Sequence, residues 1–337
     1  MSVAGTTEDV SGGDVHGSAD AVLAPDSPIP DPLLDAGDVD VLVRRAAVLL
    51  RAGGVENADH DAAVLLAHVR GVPRAEVDRA RLLGKALADF AGDEGRDAML
   101  RDFAAVLRRR ASREPLQSIV GHAPFRTIDV EVGPGVFIPR PETEIVVQTA
   151  LDWIAGQGIY GPRVIDLCTG SGAIGLSVAV EVPGAEVWAV ELSEKAAAWA
   201  QRNHRRLSRS NPGIAYAFHL VHADATSPTT LAAFDGSVDV VISNPPYIPE
   251  SRPVEQPEVR DHDPAMALYG GSADGAAIPE RIIDRAAGLL RKGGLLVMEH
   301  DVTQGDQLVA YALAHGFGEA RTERDWTDRP RELIALR

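Results

Sequence analysis

The sequence predicts an α/β protein in which a doubly wound, mostly parallel sheet follows a small bundle of helices. From about residue 163, short apolar segments alternate with amphipathic helical patterns, which is typical of βαβ units in a parallel sheet. Between about residues 38 and 112, apolar residues recur at helical spacing instead. The intervening segment contains TIDVEV, whose alternation of polar and apolar residues predicts a strand. A chain of 337 residues is long enough for both parts to bury a core.

Four segments are predicted along the chain. Residues 1–37 are rich in glycine, serine, aspartate and proline, and we expect them to form a disordered acidic tail. Residues 38–112 are predicted to form a bundle of about four helices. Residues 113–140 are a linker, in which TIDVEV followed by GPG predicts a β-hairpin. Residues 141–337 carry the sheet and its helices.

Charge and composition exclude several classes of protein. The formal net charge is −16, but nine acidic residues and no lysine or arginine fall in the first 43 positions, so the remainder is only mildly acidic. Direct nucleic-acid binding is therefore not expected. No apolar run approaches the ~20 residues of a membrane helix, and the N-terminus lacks the pattern of a secretory signal. The single cysteine, Cys168, excludes an internal disulfide and suits a reducing cytoplasm.

The segment VIDLCTGSGAIGL is predicted to form a strand, a turn with Gly170 and Gly172, and a helix. Such glycines let the backbone approach a ligand, and the helix N-terminus offers free N–H groups. The spacing is not a complete GxGxxG, so a turn used only for strand–helix packing is the alternative. Asp166 precedes the turn, where a carboxylate would repel a pyrophosphate and attract a cationic amino-acid group. The pattern favours S-adenosylmethionine over a dinucleotide.

Two further strand ends carry acids that suit the nucleoside part of this cofactor. Glu191 ends the second strand about 20 residues after the turn, where an acid accepts both ribose hydroxyls in doubly wound nucleotide sites. Asp224, in VHADAT, ends the next strand and is predicted to meet the exocyclic amine of adenine. The alternative for Asp224 is a loop-capping role. Ala225 follows where the face of the adenine would lie.

The segment VDVVISNPPYIP places Asn244 at the carboxyl end of the fourth strand, where ligands of such sheets bind. Proline fixes φ and restricts its predecessor to extended conformations, so Asn244 is held by Pro245. Neither Pro245 nor Pro246 has an N–H. The side-chain oxygen of Asn244 and the carbonyl of Pro245 can therefore serve as two acceptors for one NH2 group. Tyr247 adds an aromatic face for a planar group.

Two acceptors and an aromatic wall predict a receptor for a planar conjugated amine, either a carboxamide or the amine of adenine or cytosine. Fixing both hydrogens orients the nitrogen lone pair toward the sulfonium methyl and stabilises the positive charge that develops on nitrogen. Asn244, Pro245 and Tyr247 are therefore the predicted catalytic residues. They do not discriminate between glutamine and adenine, and a proline-rich turn without chemistry is the remaining alternative.

With these motifs in this order, the chain resembles the class I S-adenosylmethionine-dependent methyltransferases, and more closely the HemK/PrmC family of glutamine methyltransferases. The resemblance covers roughly residues 38–337 and rests on REPLQSIVGHAPF, GVFIPRPETE, VIDLCTGSGAIGL, SNPPYIP, ALYGGSADG and a late EH…Q. NPPY is shared with DNA amino-methyltransferases, whereas FIPRPETE and the helical domain are discriminating. The resemblance implies a seven-stranded sheet and methylation of the glutamine in the Gly-Gly-Gln motif of class I peptide chain release factors.

The resemblance also implies roles for particular residues. The turn that would wrap the methionine part of the cofactor consists of Cys168, Thr169, Gly170, Ser171 and Gly172. Glu191 would bind the ribose, and Asn244 would bind both the cofactor and the substrate amide. Pro245, Pro246 and Tyr247 would complete the glutamine pocket. The N-terminal bundle would dock the protein substrate, S-adenosylhomocysteine would be the product, and a cytoplasmic monomer without a metal is expected.

Two departures from the family pattern keep alternatives open. Cys168 stands where many members have glycine, and a sister branch that methylates a large-subunit ribosomal protein often has cysteine there. That branch typically lacks ETE in the segment matching residues 140–144, which favours release factors. Ala225 falls near a position that is tryptophan in some members. A nucleic-acid amino-methyltransferase and a catalytically idle cofactor-binding scaffold are further alternatives, and Glu299, which ends the strand LLVME, is assigned no chemistry.

Overall fold

The structure is a computed structural model that describes residues 30–337 and divides after Ile119 into two units. Residues 1–29 of the predicted acidic tail lie outside the described part of the chain. The rest of that predicted tail contains the helix Asp31–Leu34, in which Leu33 is fully buried. Residues 30–37 therefore differ from the expectation, because an apolar side chain that is removed from water favours an ordered segment.

The N-terminal unit is helical, and its apolar side chains form a core of their own. Leu50, Leu66 and Phe103 are fully buried. The guanidinium of Arg110 donates from Nε to Asp61 Oδ2 at 2.7 Å, and both residues are buried. The two charges compensate each other away from water. The helices that precede the first strand are Asp31–Leu34, Val39–Ala52, Ala58–Arg70, Arg74–Leu82, Leu87–Ala91, Arg96–Ala111 and Leu116–Val120.

A β-hairpin of β1 (His122–Phe125) and β2 (Ile128–Glu131) opens the second unit. The turn of this hairpin precedes the strand predicted from TIDVEV. The GPG at residues 133–135, from which a hairpin turn was predicted, instead follows that strand. Arg126 occupies the turn with φ of 51°, in the region that favours glycine. Its guanidinium donates to both carboxylate oxygens of Glu181, at 2.8 and 2.9 Å. This ion pair stabilises a turn that the local sequence does not signal.

The main sheet has seven strands in the part of the chain that the structure describes. They are β3 (Arg163–Leu167), β4 (Glu186–Glu191), β5 (Phe218–His222), β6 (Val238–Ser243), β7 (Leu290–Glu299), β8 (Glu319–Arg324) and β9 (Pro330–Leu336). Their order is β5-β4-β3-β6-β7-β9-β8, with parallel pairs from β5 to β7 and with β9 antiparallel to both of its neighbours. The predicted doubly wound, mostly parallel, seven-stranded sheet is confirmed.

Both faces of the central strands are buried, as expected for parallel strands covered by helices on each side. Val164 and Val240 belong to one apolar cluster, whereas Ile165 and Val241 belong to the other. The chain runs outward from β3 to β5 and returns to β6 on the other side of β3, which opens a crevice at the carboxyl ends of β3 and β6. The helices of this unit are Glu144–Gln157, Ala173–Glu181, Glu194–Ser210, Ile214–Ala217, Pro257–Arg260, Ala277–Leu289 and Gly305–Ala314.

The helices of residues 30–337 include none with the length and apolar character needed to cross a bilayer. The longest of them, Glu194–Ser210, carries a strongly polar face with several arginines. Its opposite face buries Ala196 and Ala200. This amphipathic pattern is that of a helix packed on one side of a sheet.

Glu332 gives the sheet a pH-dependent stability. It lies in β9 opposite Glu299 of β7 and is 1% exposed. Burial raises the pKa of its carboxyl group to about 7. Because only the unfolded chain ionises this group between about pH 4.5 and 7, its contribution to stability is full below pH 4.5 and is lost as the pH rises to 7.

We therefore expect Glu332→Gln to reduce the loss of stability between pH 4.5 and pH 7 by roughly 3 kcal/mol. The measurement is the free energy of unfolding in urea at several pH values across this range. Glu323→Gln is the matched control, because Glu323 lies opposite Glu332 in β8 but is exposed. Equal pH dependence in wild type and Glu332→Gln would contradict the prediction.

Candidate active site

A cavity of about 1010 Å³ opens at the carboxyl ends of the parallel strands. Each of five strands contributes a lining residue at or just after its last position. These residues are Cys168 after β3, Glu191 at the end of β4, Asp224 after β5, Asn244 after β6 and Glu299 at the end of β7. The sheet therefore gathers side chains that are far apart in sequence around one space, as expected for doubly wound proteins.

The glycine turn forms one wall of this cavity. Gly170 has φ of 59°, and no atom lies within 4 Å of the position that a β-carbon would take there, so the backbone is open to a ligand. Cys168 has φ of 66°, a conformation that costs a non-glycine residue about 1–2 kcal/mol. The helix Ala173–Glu181 begins directly after the turn. Thr169 and Ser171 also line the cavity.

Asp166 supports this turn from behind and does not line the cavity. It is fully buried, and its Oδ2 accepts hydrogen bonds from the hydroxyl of Thr169 and, at 2.9 Å, from the N–H of Gly175. Burial raises the pKa of the Asp166 carboxyl group to about 7. Gly172 also does not line the cavity. A β-carbon at Gly172 would come within 2.9 Å of Leu176 Cδ1. Both residues therefore shape the turn in this structure.

Glu191 connects the glycine turn to the turn that follows β4. Its Oε2 accepts from the N–H of Gly170 at 2.8 Å, and its Oε1 accepts from the N–H of Ser193 at 2.7 Å. The residue is 8% exposed and lines the cavity. A carboxylate oxygen accepts more than one hydrogen bond. Each oxygen of Glu191 can therefore accept a further hydrogen from a ligand hydroxyl.

The loop after β5 brings Asp224 and Ala225 to the same cavity. Asp224 Oδ1 accepts from the N–H of Thr226 at 2.8 Å and from its hydroxyl at 2.7 Å, which fixes the loop. The loop-capping alternative for Asp224 is therefore present in the structure. It leaves Oδ2 as a second acceptor on an exposed residue. Ala225 is 4% exposed and offers a small apolar surface.

The NPPY loop leaves the end of β6 between buried elements. Asn244 Nδ2 donates to Thr143 Oγ1 at 3.1 Å. Thr143 is the last residue of the single helical turn Pro141–Thr143 and is 3% exposed. Pro245 is buried, and all four residues of the loop line the cavity. The side-chain NH2 of Asn244 is thus directed to the FIPRPETE segment.

Glu299 lies at the centre of a hydrogen-bond network beneath this loop. Thr143 Oγ1 donates to Glu299 Oε2, and Tyr247 Oη donates to Glu299 Oε1, both at 2.7 Å. Arg331 Nη1 donates to Tyr247 Oη at 3.2 Å. Glu299 is 4% exposed, and burial raises the pKa of its carboxyl group while the two hydroxyl donors lower it. Burial also raises the pKa of Tyr247, so its hydroxyl remains a donor.

The ALYGGSADG segment and Gln304 hold the backbone of the loop. Ile248 N–H donates to the carbonyl of Leu268 at 2.8 Å. Gln304 Nε2 donates to the carbonyl of Tyr247 at 2.9 Å and to that of Asp274 at 2.8 Å. The motif and the late EH…Q therefore meet at the loop that carries Asn244. Their physical role is to fix its backbone.

We expect Gly275→Ala to destabilise the protein by at least about 2 kcal/mol. Gly275 has φ of 73°, and a β-carbon there would lie 2.3 Å from the carbonyl oxygen of Tyr247. Gly213→Ala is the control, because φ at Gly213 is −59° and no atom lies within 4 Å of its β-carbon position. Urea denaturation measures both variants, and equal stability of the two would contradict the prediction.

The segment at residues 250–264 covers a further side of the cavity. Arg252 pairs with Asp301, and Arg140 of FIPRPETE pairs with Asp263, whose side chain is 1% exposed. Burial raises the pKa of Asp263, whereas Arg140 lowers it. Between these two ion pairs, apolar residues face the cavity, namely Pro253, Val254 and Val259. This side of the cavity therefore carries apolar surface between two ion pairs.

All the site residues predicted from the sequence except Asp166 and Gly172 line this cavity, but the sequence does not predict the network behind them. Glu299 was recognised as a strand end without a role, and Thr143 and Arg331 were not singled out. A buried acid at the carboxyl end of a strand is the signal that could have found Glu299. Within residues 30–337, no three histidine, cysteine, aspartate or glutamate side chains are arranged to hold a metal ion.

Two family models match the chain. "PrmC N-terminal domain" matches residues 42–121, and "Conserved hypothetical protein 95" matches residues 117–257. The release factor glutamine methyltransferase of Bifidobacterium longum is 58% identical over 295 residues, which cover 88% of this chain and 98% of that protein. The release factor glutamine methyltransferase of Streptomyces coelicolor is 42% identical over 295 residues, which cover 87% of this chain and 96% of that protein.

A solved structure is also similar to part of the chain. It is the release factor-specific protein-(glutamine-N5) methyltransferase of Alicyclobacillus acidocaldarius, 27% identical, which matches 61% of this chain and 98% of that one. The TM-score is 0.35.

Proposed function

The chain belongs to the family of release factor glutamine methyltransferases, as the resemblance in its sequence predicted, and from this premise we propose its reaction. It transfers the methyl group of S-adenosylmethionine to the side-chain amide nitrogen of the glutamine in the Gly-Gly-Gln motif of class I peptide chain release factors. One observation carries the proposal. A single cavity is lined both by the glycine turn with Glu191 and by the NPPY loop with Asn244.

The residues of the first wall fit S-adenosylmethionine, which supplies an electrophilic methyl group on a sulfonium when bound. The open backbone at Gly170 would accommodate the methionine part, and Cys168, Thr169 and Ser171 line the cavity around it. Glu191 would accept the two ribose hydroxyls. Two neighbouring residues of the loop after β5 would hold the adenine. Asp224 would accept from its amine, and Ala225 would pack on its face.

The residues of the second wall bind and orient the amide. Asn244 Oδ1 and the carbonyl of Pro245 each accept one hydrogen of the glutamine NH2, because neither Pro245 nor Pro246 has an N–H that would compete. Tyr247 and Pro246, which line the same cavity, would flank the plane of the amide. With both hydrogens fixed, the nitrogen lone pair would be directed at the methyl group that S-adenosylmethionine supplies, and the two acceptors would stabilise the positive charge that develops on nitrogen.

No strong base is required before the transfer. The new C–N bond would form as the bond between sulfur and the methyl group breaks, which would leave S-adenosylhomocysteine. The amide proton becomes acidic only at that point and is then lost to water. Glu299 is assigned no role as a base here, since it bonds to Thr143 and Tyr247 and meets Asn244 only through Thr143. The docking of the release factor on the N-terminal helices, and action as a cytoplasmic monomer without nucleic acid, belong to the same proposal.

The test is methyl transfer from labelled S-adenosylmethionine to a release factor, to a large-subunit ribosomal protein and to DNA, with the label located by mass. We expect label on the glutamine of Gly-Gly-Gln alone. A release factor with that glutamine replaced by alanine is the control and should remain unlabelled. Label on the ribosomal protein alone would favour the sister branch. Label on DNA alone, or cofactor binding without any transfer, would overturn the proposal.

A further inference from the structure

A buried carboxylate lies behind the two side chains that receive the substrate amide. Glu299 accepts hydrogen bonds from Thr143 and Tyr247, and Thr143 in turn accepts one from the NH2 group of Asn244. The methyl transfer proposed above uses Glu299 in no step. An ionisable group that is 4% exposed at this position calls for a physical role.

The direction of each bond follows from the hydrogens that each group carries. An ionised carboxylate only accepts, so the single hydroxyl hydrogen of Thr143 points to Glu299. Thr143 Oγ1 then has only lone pairs to offer Asn244. Of the two ends of an amide, only the NH2 end can bond to a lone pair. The Nδ2 of Asn244 is therefore held at Thr143, and its Oδ1 is left for the substrate.

We propose that Glu299, acting through Thr143, fixes the side-chain amide of Asn244 with its oxygen toward the substrate and so makes the site select an NH2 donor. The inference rests on the proposed function, in which Asn244 accepts a hydrogen of the glutamine amide. With the opposite orientation of Asn244, two NH2 groups would face each other and the hydrogen bond would be lost. Glu299 and Thr143 are positioning residues, because they act through Asn244.

The same carboxylate orients the aromatic wall. The hydroxyl hydrogen of Tyr247 points to Glu299, so its oxygen accepts from Arg331 at 3.2 Å. Arg331 places a positive charge next to the network and Glu142 a negative one, while the buried carboxyl group of Glu332 lies opposite Glu299 in the sheet. An uncharged replacement changes the direction of the bonds. In Glu299→Gln, the new NH2 group can donate to Thr143, which frees the Thr143 hydrogen for Asn244 Oδ1.

The first experiment measures selectivity. The release factor and its variant with glutamate in place of the Gly-Gly-Gln glutamine are titrated calorimetrically into the protein with S-adenosylhomocysteine present. We expect the wild type to bind the glutamine form about tenfold more tightly, which corresponds to one oriented hydrogen bond. The ratio should persist in Thr143→Ser, which keeps the hydroxyl, and approach one in Thr143→Val and Glu299→Gln.

A purely structural role would give a different result. A loosened site would weaken the binding of both forms alike and leave their ratio unchanged. A ratio that stays at the wild-type value in both Thr143→Val and Glu299→Gln would therefore overturn the proposal. Thermal unfolding of each variant establishes that the folded protein is compared in every titration.

The second experiment needs no protein substrate. Hydrogen exchange of the Asn244 side-chain NH2 group is followed by NMR, with the signal identified by its loss in Asn244→Ala. We expect slow exchange in the wild type and in Thr143→Ser, and faster exchange in Thr143→Val. Equal exchange in all three would overturn the inference. Failure of the wild type to methylate any release factor would instead overturn the proposed function, so the two failures are distinguishable.

Discussion

Asn244→Ala is expected to lower kcat by about 10²–10³-fold. This is the usual effect of removing one preorganised group that stabilises charge in a transition state. The variant removes the acceptor that fixes one hydrogen of the glutamine amide, while the carbonyl of Pro245 remains. The orientation of the nitrogen lone pair and the stabilisation of developing charge are both weakened. The measurement is the single-turnover rate of methyl transfer to a release factor at saturating S-adenosylmethionine.

Two controls make the result specific to the side chain of Asn244. Asn211→Ala replaces an exposed asparagine at the end of the helix Glu194–Ser210 and should leave the rate unchanged. Thermal unfolding of Asn244→Ala should match the wild type within a few degrees. Turnover near the wild-type rate in Asn244→Ala would show that the proposed mechanism is wrong.

The central sheet could be predicted from the sequence because its strands are buried on both faces. The β3 and β6 segments, RVIDL and VDVVIS, consist mainly of branched apolar residues, and the helix Ala277–Leu289 before β7 shows apolar residues at helical spacing. The strand β8 (Glu319–Arg324) has the sequence EARTER and is largely exposed, so no hydrophobic pattern distinguishes it from a loop. It is a strand because it pairs with β9 at the edge of the sheet.

Departures from the predicted fold arise where distant residues decide a local conformation. Arg126 occupies the hairpin turn because Glu181, 55 positions later, pairs with its guanidinium. Leu33 lies in a segment whose composition resembles a tail, and its burial depends on a core that the local sequence does not show. Local composition and turn signals cannot report contacts of this kind.

The candidate site divides in the same way. The glycine turn and the NPPY loop are contiguous motifs with a local physical meaning, so their residues could be selected from sequence. The bond between Thr143 and Glu299 joins residues 156 positions apart, and the role of either depends on the other. Asp166 was predicted next to the cofactor from its position before the turn, whereas in the structure its carboxylate bonds to the turn itself. The direction in which a side chain points at the end of a strand is set by packing, which the local sequence does not show.

We expect Glu191→Ala to raise the dissociation constant of S-adenosylmethionine by about 10²-fold, since two charge-assisted hydrogen bonds to the ribose would be lost. The same change removes the acceptor for the N–H groups of Gly170 and Ser193, so the turn that faces the methionine part loses its fixed position. Isothermal titration with the cofactor measures the effect. Asp224→Ala is the comparison. It should lower the affinity for S-adenosylmethionine by about tenfold or less, because the Asp224 carboxylate is exposed to water.

An analogue of S-adenosylmethionine without the two ribose hydroxyls separates the two functions of Glu191. If Glu191 binds the ribose, Glu191→Ala should weaken the binding of the complete cofactor strongly. The same substitution should then weaken the binding of the analogue much less. If Glu191 acts only by holding Gly170 and Ser193, both ligands should lose affinity by the same factor in Glu191→Ala. The second outcome would restrict Glu191 to supporting the turn, and the ribose would then require another acceptor among the residues that line the cavity.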